Sequence, residues 1–91
     1  MTFEELKFRP RPGRSGIQAR YVFPNGYGVS VIRGLGSYGN ERGLYELAVC
    51  VGPNQHLCYD TPITDDVLGY LTEDDVTRLL GEVEALPPSV S

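Results

Sequence analysis

Alternating apolar and polar residues fill the first half of the chain and predict paired β-strands. In the stretch "IQARYVF", Ala19, Tyr21 and Phe23 alternate with side chains of the opposite face, and "YGVSVIR" follows after a short break. Asn25 and Gly26 stand in that break, and this dipeptide tolerates the positive φ values of a tight turn. The two runs therefore predict a β-hairpin.

A second pair of strands is predicted in "LYELAVCVG" and "HLCYD", joined by a turn at residues 53–55. Their alternation gives a core face made of Tyr45, Leu47, Val49, Val51, Leu57 and Tyr59. The opposite face, which we expect to meet water or a partner, holds Glu46, Ala48, Cys50, His56, Cys58 and Asp60. In this register Cys50 and Cys58 face each other, as free thiols in a reducing compartment.

The last element is an amphipathic helix. Thr72 predicts its N-cap, and Leu71 is placed to pack against Val76 across the first turn. An apolar stripe at three- and four-residue intervals follows, consisting of Val76, Leu79, Leu80, Val83 and Leu86. The preceding stretch, "TPITDDVLGYL", is predicted to be a transition segment, because Pro62 breaks strands and Gly69 interrupts helices.

Together these elements predict an α+β fold. A four-stranded antiparallel β-meander over residues 18–60 packs one face against a C-terminal amphipathic helix over residues 73–86. The domain comprises residues 17–91. Residues 1–16 form a basic, Pro-rich N-terminal arm, because each Pro in "RPRPGRSG" fixes its own φ and keeps the preceding residue extended. We expect "RPRPGRSG" to be exposed and leave open whether "MTFEELKF" before it forms a short ordered element. The arm carries four cations, with Phe8 among them: Lys7, Arg9, Arg11 and Arg14.

A glycine-rich stretch, "GLGSYG" at residues 34–39, has the glycine spacing of a dinucleotide-binding loop. That motif requires a helix after the loop, whose N-terminus receives the phosphates, but a strand is predicted here instead. We therefore predict no nucleotide site and no cofactor. The stretch is interpreted as a mobile surface loop, with Tyr38 and Arg42 as its contact residues.

Length and composition limit the class of protein. The chain has 91 residues, of which 41% are hydrophobic and 22% charged, as is typical of one globular domain. No apolar run reaches the length of a membrane span, and "MTFEELKFRP" lacks the apolar region of a signal peptide. We expect a cytoplasmic protein.

Charge is unevenly distributed along the chain, whose formal net charge is −4. Residues 1–42 carry seven basic and three acidic side chains, whereas residues 43–91 carry nine acidic side chains and a single basic one, Arg78. Such a division suggests an interaction surface of each sign. The alternative is that the two halves neutralise each other within the fold.

Six carboxylates cluster without an intervening basic residue: Asp60, Asp65, Asp66, Glu73, Asp74 and Asp75. The spacing lacks the central Gly and terminal Glu of a calcium-binding EF-hand loop, and three of the acids already suit a helix N-terminus. We therefore predict no metal site, and interpret the cluster as an acidic face that binds a basic groove on a protein partner.

Catalysis is not predicted. His56 is the only histidine, so a nucleophilic site could use only His56 with Cys58, two residues apart on one strand face. No third group is placed to orient this pair, and a flat strand face holds a nucleophile poorly against its base.

Three blocks of the sequence, "FPNGYGVSVIRG", "SYGNERGLYELAV" and "YDTPITDDVLGYLTEDDV", resemble a family of small proteins encoded by tailed bacteriophages and prophages. The likeness covers residues 22–86 and leaves out the basic arm. It implies a phage origin, and hence the cytoplasm of a bacterial host cell, without a defined activity.

Small acidic proteins of phages include anti-CRISPR proteins and other host-directed inhibitors, which act by blocking a surface. By that analogy we expect a non-enzymatic inhibitor of a bacterial protein complex, such as a CRISPR–Cas effector, bound through the acidic face, through Tyr38 and Arg42, or through both. The alternative is a nucleic-acid-binding accessory protein that uses the basic arm on phosphates. The negative net charge of the chain opposes this alternative.

Overall fold

The computed structural model describes residues 1–57, 61–63 and 67–88. It contains one antiparallel sheet and one α-helix, and this confirms the predicted α+β class. The elements are β1 (Arg9–Pro10), β2 (Ile17–Val22), β3 (Tyr27–Arg33), β4 (Tyr45–Val51), β5 (His56–Leu57), β6 (Leu68–Leu71) and α1 (Glu73–Glu84), with short 3-10 helices at Phe3–Glu5 and Asn40–Arg42. The strand order is β1-β2-β3-β4-β5, and β6 also pairs with β4.

The predicted four-stranded meander is therefore part of a larger sheet. The two additional strands come from segments to which the sequence analysis assigned no strand: β1 lies in the N-terminal arm and β6 in the transition segment. Both additional strands are short, and each depends on pairing with a longer strand, which local alternation does not reveal.

The core lies between one face of the sheet and α1. It contains the predicted stripe of the helix and the predicted inward side chains of the central strands, and its fully buried members include Val29, Val31, Leu47, Val49, Val76, Leu80 and Val83. Each such side chain contributes roughly 1.5 to 3 kcal/mol when buried. Because the chain is short, this single layer supplies most of the hydrophobic stabilisation.

The N-terminal arm packs on the domain. Leu6 is buried in the core, and Phe3 and Phe8 pack around the ring of Tyr45 at centroid distances of 5.0 and 5.6 Å. The backbone N–H of Phe3 also donates to Thr77 Oγ1 of α1 at 2.9 Å. The first part of the arm is thus docked on the sheet, because its apolar residues bury against the core, whereas Arg9 and Arg14 of the Pro-rich part are exposed.

The β2–β3 hairpin is confirmed at Asn25 and Gly26, and Gly26 has a φ of 90°. Asn25 does more than form a turn. Its Oδ1 accepts from the N–H of Tyr27 at 3.0 Å, while its Nδ2 donates towards the carbonyls of Val83 (2.9 Å) and Leu86 (3.1 Å). Val83 lies in the last turn of α1 and Leu86 two residues beyond its end, where backbone carbonyls have few helical partners; the Val83 carbonyl also accepts from the N–H of Leu86 at 3.2 Å. One side chain therefore joins the hairpin to the helix.

The predicted register of the β4–β5 hairpin is wrong by one residue. Cys50 pairs with Leu57, and Val51 pairs with His56. Leu57 consequently lies on the face opposite the core and is 51% exposed, although it was predicted in the core with Tyr59. A shift of one residue moves every side chain of a strand to the other face.

The turn explains this shift. It occupies four residues, Gly52 to Gln55, rather than the expected three, and the N–H of Gln55 donates to the carbonyl of Gly52 at 3.0 Å. Gly52 and Gln55 have left-handed φ values of 82° and 50°. The predicted apposition of the two cysteines is replaced by the Cys50–Leu57 pair, and Cys58 lies outside the described residues.

The outer face of the sheet is less exposed than its sequence suggests. Ala48 and Cys50, predicted to meet water or a partner, are 8% and 1% exposed. Burial raises the pKa of the Cys50 thiol, and the nearby Arg20 guanidinium opposes part of that increase. Cys50 is thus a packed thiol inside the sheet layer.

Candidate protein-binding surface

The glycine-rich loop has a defined, hydrogen-bonded conformation. Ser37 is buried, and its hydroxyl accepts from the N–H of Gly34 at 3.0 Å and lies 2.8 Å from the carbonyl of the same residue. Gly36, with a φ of 89°, completes the turn, and Leu35 at its tip is 76% exposed. The expected mobile loop is therefore a turn held by its own side chain, and a 3-10 turn and β4 follow it instead of a phosphate-binding helix.

Two segments cross closely at the end of this loop. The N–H of Tyr70 donates to the carbonyl of Tyr38 at 3.3 Å. A Cβ added at Gly69 would overlap the Cβ of Tyr38, and one added at Gly39 would lie 2.9 Å from the Cα of Tyr70. Glycine is required at both positions because the two backbones leave no space for a side chain.

β6 carries a bulge at the crossing. Tyr45 pairs with Leu71 and Leu47 with Leu68, so that two residues of β6 face the single residue Glu46 of β4. Tyr70 is one of these two residues and has a φ of 56°. A side chain in this left-handed region costs about 1 to 3 kcal/mol and persists only where the surroundings impose it.

The bulge and the loop present large side chains to solvent. Tyr38 is 59% exposed and Tyr70 is 52% exposed. The backbone of Tyr38 is held on its other side by Glu46, whose Oε1 accepts from the N–H of Tyr38 at 3.1 Å. We call Leu35, Tyr38 and Tyr70 the tyrosine surface. Tyrosine is enriched in protein interfaces because its ring is large and its hydroxyl remains polar.

Acidic side chains follow the tyrosine surface along the chain. α1 begins three residues after Tyr70, and its first turn is acidic. Glu73 and Asp74 are exposed in its first turn. The carboxylate of Asp75 has a structural role: it accepts from the N–H of Thr72 at 3.0 Å, while the Thr72 hydroxyl accepts from the N–H of Asp75. These hydrogen bonds lower the pKa of the Asp75 carboxyl.

The predicted acidic face is thus only partly located. Glu73 and Asp74 are available to a partner, and Asp75 completes the predicted N-cap of α1. Asp60, Asp65 and Asp66 lie outside the described residues. Arg42, the other predicted loop contact, is exposed in the Asn40–Arg42 turn.

The basic residues of the arm lie along β1 and the segments that flank it. Lys7, Arg9 and Arg14 are exposed, and Arg11 Nη1 lies 3.4 Å from the carbonyl of Ser15 and 3.5 Å from that of Leu35. Phe8, which lies among these cations in the sequence, packs against aromatic rings of the domain.

Within the described residues, ion pairing between the two halves of the chain is limited to one salt bridge, which the N-terminal ammonium makes. The salt bridges of these residues are Arg78 with Glu82, at 2.7 Å on one face of α1, and the N-terminal ammonium of Met1 with Glu84, at 3.4 Å. Neither involves a basic side chain of residues 1–42.

The structure does not bring together the residues considered for a catalytic or a metal site. His56 is exposed on β5, and its suggested partner Cys58 lies outside the described residues. Across the described ranges, no group of three or more His, Cys, Asp and Glu side chains is placed to hold a metal ion. Within the same ranges, no helix is both long and apolar enough to cross a membrane.

Two members of the tyrosine surface, Leu35 and Tyr70, were not predicted from the sequence, and the less expected of them is Tyr70. Simple alternation in "LGYL" would place it on the same face as Leu68, and nothing adjacent indicates a bulge except Gly69. An isolated glycine in a strand-like run often marks a bulge or a close backbone approach. The exposure of Tyr70 results from the pairing of β6 with β4.

Comparison with known proteins yields no match: no family model, no curated protein and no solved structure is similar to this chain.

Proposed function

We propose that this chain is a non-enzymatic inhibitor of the anti-CRISPR kind, which binds a bacterial protein complex through the tyrosine surface and the exposed acids that follow it. The observation that carries this proposal is the placement of Tyr38 and Tyr70, two exposed aromatic side chains on backbone segments that cross and hydrogen-bond.

Rigid presentation favours binding. Tyr38 is held by Glu46 on one side and by Tyr70 on the other, so its backbone loses little freedom when a partner binds. Tyr70 is held in a left-handed conformation that an unconstrained tyrosine avoids. A strained exposed aromatic residue supports a functional role, since a glycine at this position would form the bulge at lower conformational cost.

Charge supports the choice of partner. Glu73 and Asp74 extend the surface with two carboxylates that make no salt bridge within the described residues. Exposed charges at the edge of an interface steer association and select partners of opposite sign. The expected partner surface therefore combines an apolar pocket for tyrosine with Lys or Arg side chains beside it, as on proteins that bind nucleic acid.

The experiment uses the full chain, immobilised to capture a complex from bacterial host lysate, followed by binding measurements on the purified partner. Tyr38→Ala combined with Tyr70→Gly removes both rings, and the glycine accepts the left-handed φ. Loss of each anchor should weaken binding by about 2 kcal/mol, or roughly thirtyfold. Leu57→Ala, which removes another exposed large apolar side chain (51%) on β5, is the control. Unchanged affinity of the double variant would refute the tyrosine surface.

The acidic contribution of the surface is tested separately with Glu73→Lys and Asp74→Lys, which leave the capping box of Thr72 and Asp75 intact. The expected result is a lower association rate with a weaker dependence on salt.

The alternative function is nucleic-acid binding by the basic arm, and it can be tested with the same purified protein. A gel shift with single-stranded or duplex DNA that disappears when Lys7, Arg9, Arg11 and Arg14 are replaced by Glu would support it over the inhibitor. We expect no shift at physiological salt.

A further inference from the structure

The outer edge of β2 is incompletely covered. On its outer side, β2 pairs with β1 only at Ile17 and Gln18. Residues 19–22 pair with β3 on the inner side and, in the described part of the chain, with no strand on the outer side. Arg20, Tyr21 and Val22 are exposed along this stretch. An uncovered strand edge offers backbone donors and acceptors to another chain.

Hydrogen bonds at both ends of β2 show which backbone groups point outwards. The N–H of Phe23 donates to the carbonyl of Tyr27 at 2.7 Å, so odd-numbered residues of β2 exchange bonds with β3. On the other side, the N–H of Arg11 donates to the carbonyl of Gly16 at 3.0 Å. The backbone N–H and C=O groups of the even-numbered residues of β2 therefore point towards the outer edge.

Arg20 and Val22 consequently present their N–H and C=O groups away from the sheet, spaced as one strand presents them to the next. This pattern matches the backbone of an extended peptide. It suits a phosphodiester chain poorly, because the outward carbonyls repel phosphate oxygens.

A cavity of about 500 Å³ lies beside this edge, lined by residues of the segment 5–12 and of β2. Its lining includes the apolar Leu6 and Tyr21. Its charged lining consists of Lys7, Arg9 and Arg20, with Glu5 as the single acid among the lining residues. The cavity therefore offers apolar surface with an excess of positive charge next to open backbone groups.

We propose that this edge and cavity bind an extended acidic peptide segment of a partner protein, which adds a strand antiparallel or parallel to β2 and places carboxylates beside Lys7, Arg9 and Arg20. This is a second binding surface, separate from the tyrosine surface and independent of it. Main-chain hydrogen bonds supply affinity in such strand addition, and flanking side chains supply selectivity.

Charge disfavours a second copy of this chain as the occupant. In a two-fold antiparallel pairing of β2 with itself, the Arg20 side chains of the two copies would approach each other with no acidic residue of β2 to compensate. Self-association is therefore an outcome of the test rather than the expectation.

The probe is a fluorescein-labelled peptide of alternating Thr and Glu residues, followed by fluorescence anisotropy with the full chain. Two control peptides have Lys in place of Glu, or N-methyl groups on alternate backbone nitrogens. We expect binding of the first peptide, with affinity that falls as salt rises, and at least about tenfold weaker binding of both controls.

Two variants and one control variant locate the site. Arg20→Glu reverses a lining charge and should weaken binding about tenfold, whereas Arg14→Glu makes the same charge change on an exposed residue that does not line this cavity. Val22→Pro removes an outward N–H that is not used by β3, a substitution that edge strands tolerate. It should abolish binding while circular dichroism and thermal unfolding confirm the fold.

The proposal fails if the acidic peptide does not bind, or if either control peptide binds as well as the acidic one. Equal effects of Arg14→Glu and Arg20→Glu would show non-specific attraction and overturn it too. A dimer that Val22→Pro dissociates would assign the edge to a second copy, and Arg20-dependent binding of single-stranded DNA in preference to the peptide would assign it to nucleic acid.

Discussion

Replacing Asn25 by aspartate tests whether this side chain serves only the hairpin turn or also holds α1. Asp-Gly is as suitable as Asn-Gly for a hairpin turn, so a purely local role predicts little change in stability. The structure predicts otherwise. The Asn25 amide group donates to the helix-end carbonyls of Val83 and Leu86, and a carboxylate at this position cannot donate.

The magnitude follows from these contacts. Loss of two hydrogen bonds costs about 1 kcal/mol each, and a negative charge at a helix C-terminus adds about 0.3 to 1 kcal/mol. Asn25→Asp should therefore lower the free energy of unfolding by roughly 2 to 3 kcal/mol, equivalent to roughly 10 to 20 °C in Tm for a domain of this size. Asn25→Ala adds no charge, but it also loses the bond that Oδ1 accepts from the N–H of Tyr27, so it should cost roughly 3 kcal/mol.

The assay is equilibrium unfolding in urea, followed by circular dichroism at neutral pH. Asn54→Asp makes the same change at an exposed position in the β4–β5 turn and serves as the control, with an expected effect within about 0.5 kcal/mol. Protonation of the introduced carboxylate at acid pH restores a donor, so the gap between the Asn25→Asp variant and the wild type should narrow there. A variant as stable as the wild type at neutral pH would refute the proposed link between hairpin and helix.

Three further predictions concern single positions. Gly69→Ala should destabilise the fold by about 1 to 3 kcal/mol, measured by urea unfolding, because the new methyl group overlaps the Cβ of Tyr38; a neutral result would contradict the close crossing. The pKa of Asp75 is lowered in the folded state, so its stabilisation is present above the unfolded pKa of about 4 and is lost as the pH falls; Asp75→Asn should flatten this acid dependence in a series of unfolding curves. The pKa of Cys50 is raised, so the contribution of its protonated thiol to the free energy of unfolding is complete below the unfolded pKa of about 8.5 and declines above it. In a Cys58→Ser background, Cys50 should resist alkylation by iodoacetamide until the protein unfolds. Rapid alkylation of the native protein would show that the thiol is accessible.

Local patterns determined much of the architecture from sequence alone. Alternation placed Val29, Leu47 and Val49 in the core, the Asn-Gly dipeptide placed the first hairpin, and Thr72 placed the start of α1. Each of these features depends on residues within a few positions of one another, whose spacing matches the period of a strand or a helix. The helix end was placed too late in the chain, since α1 stops at Glu84 instead of residue 86.

Only the tertiary structure decided the features that join distant segments. The docking of Leu6, the pairing of β6 with β4 and the exposure of Tyr70 all require contacts across the fold, and short segments carry little periodicity from which to infer them. The register of β5 depended on one additional residue in a turn, and that residue moved Leu57 from the predicted core to the surface. The sequence predicts Tyr38 as a contact residue, and its side chain is exposed in the structure. The fold placed Tyr70 beside it, because a bulge redirects a side chain in a way that alternation alone cannot express.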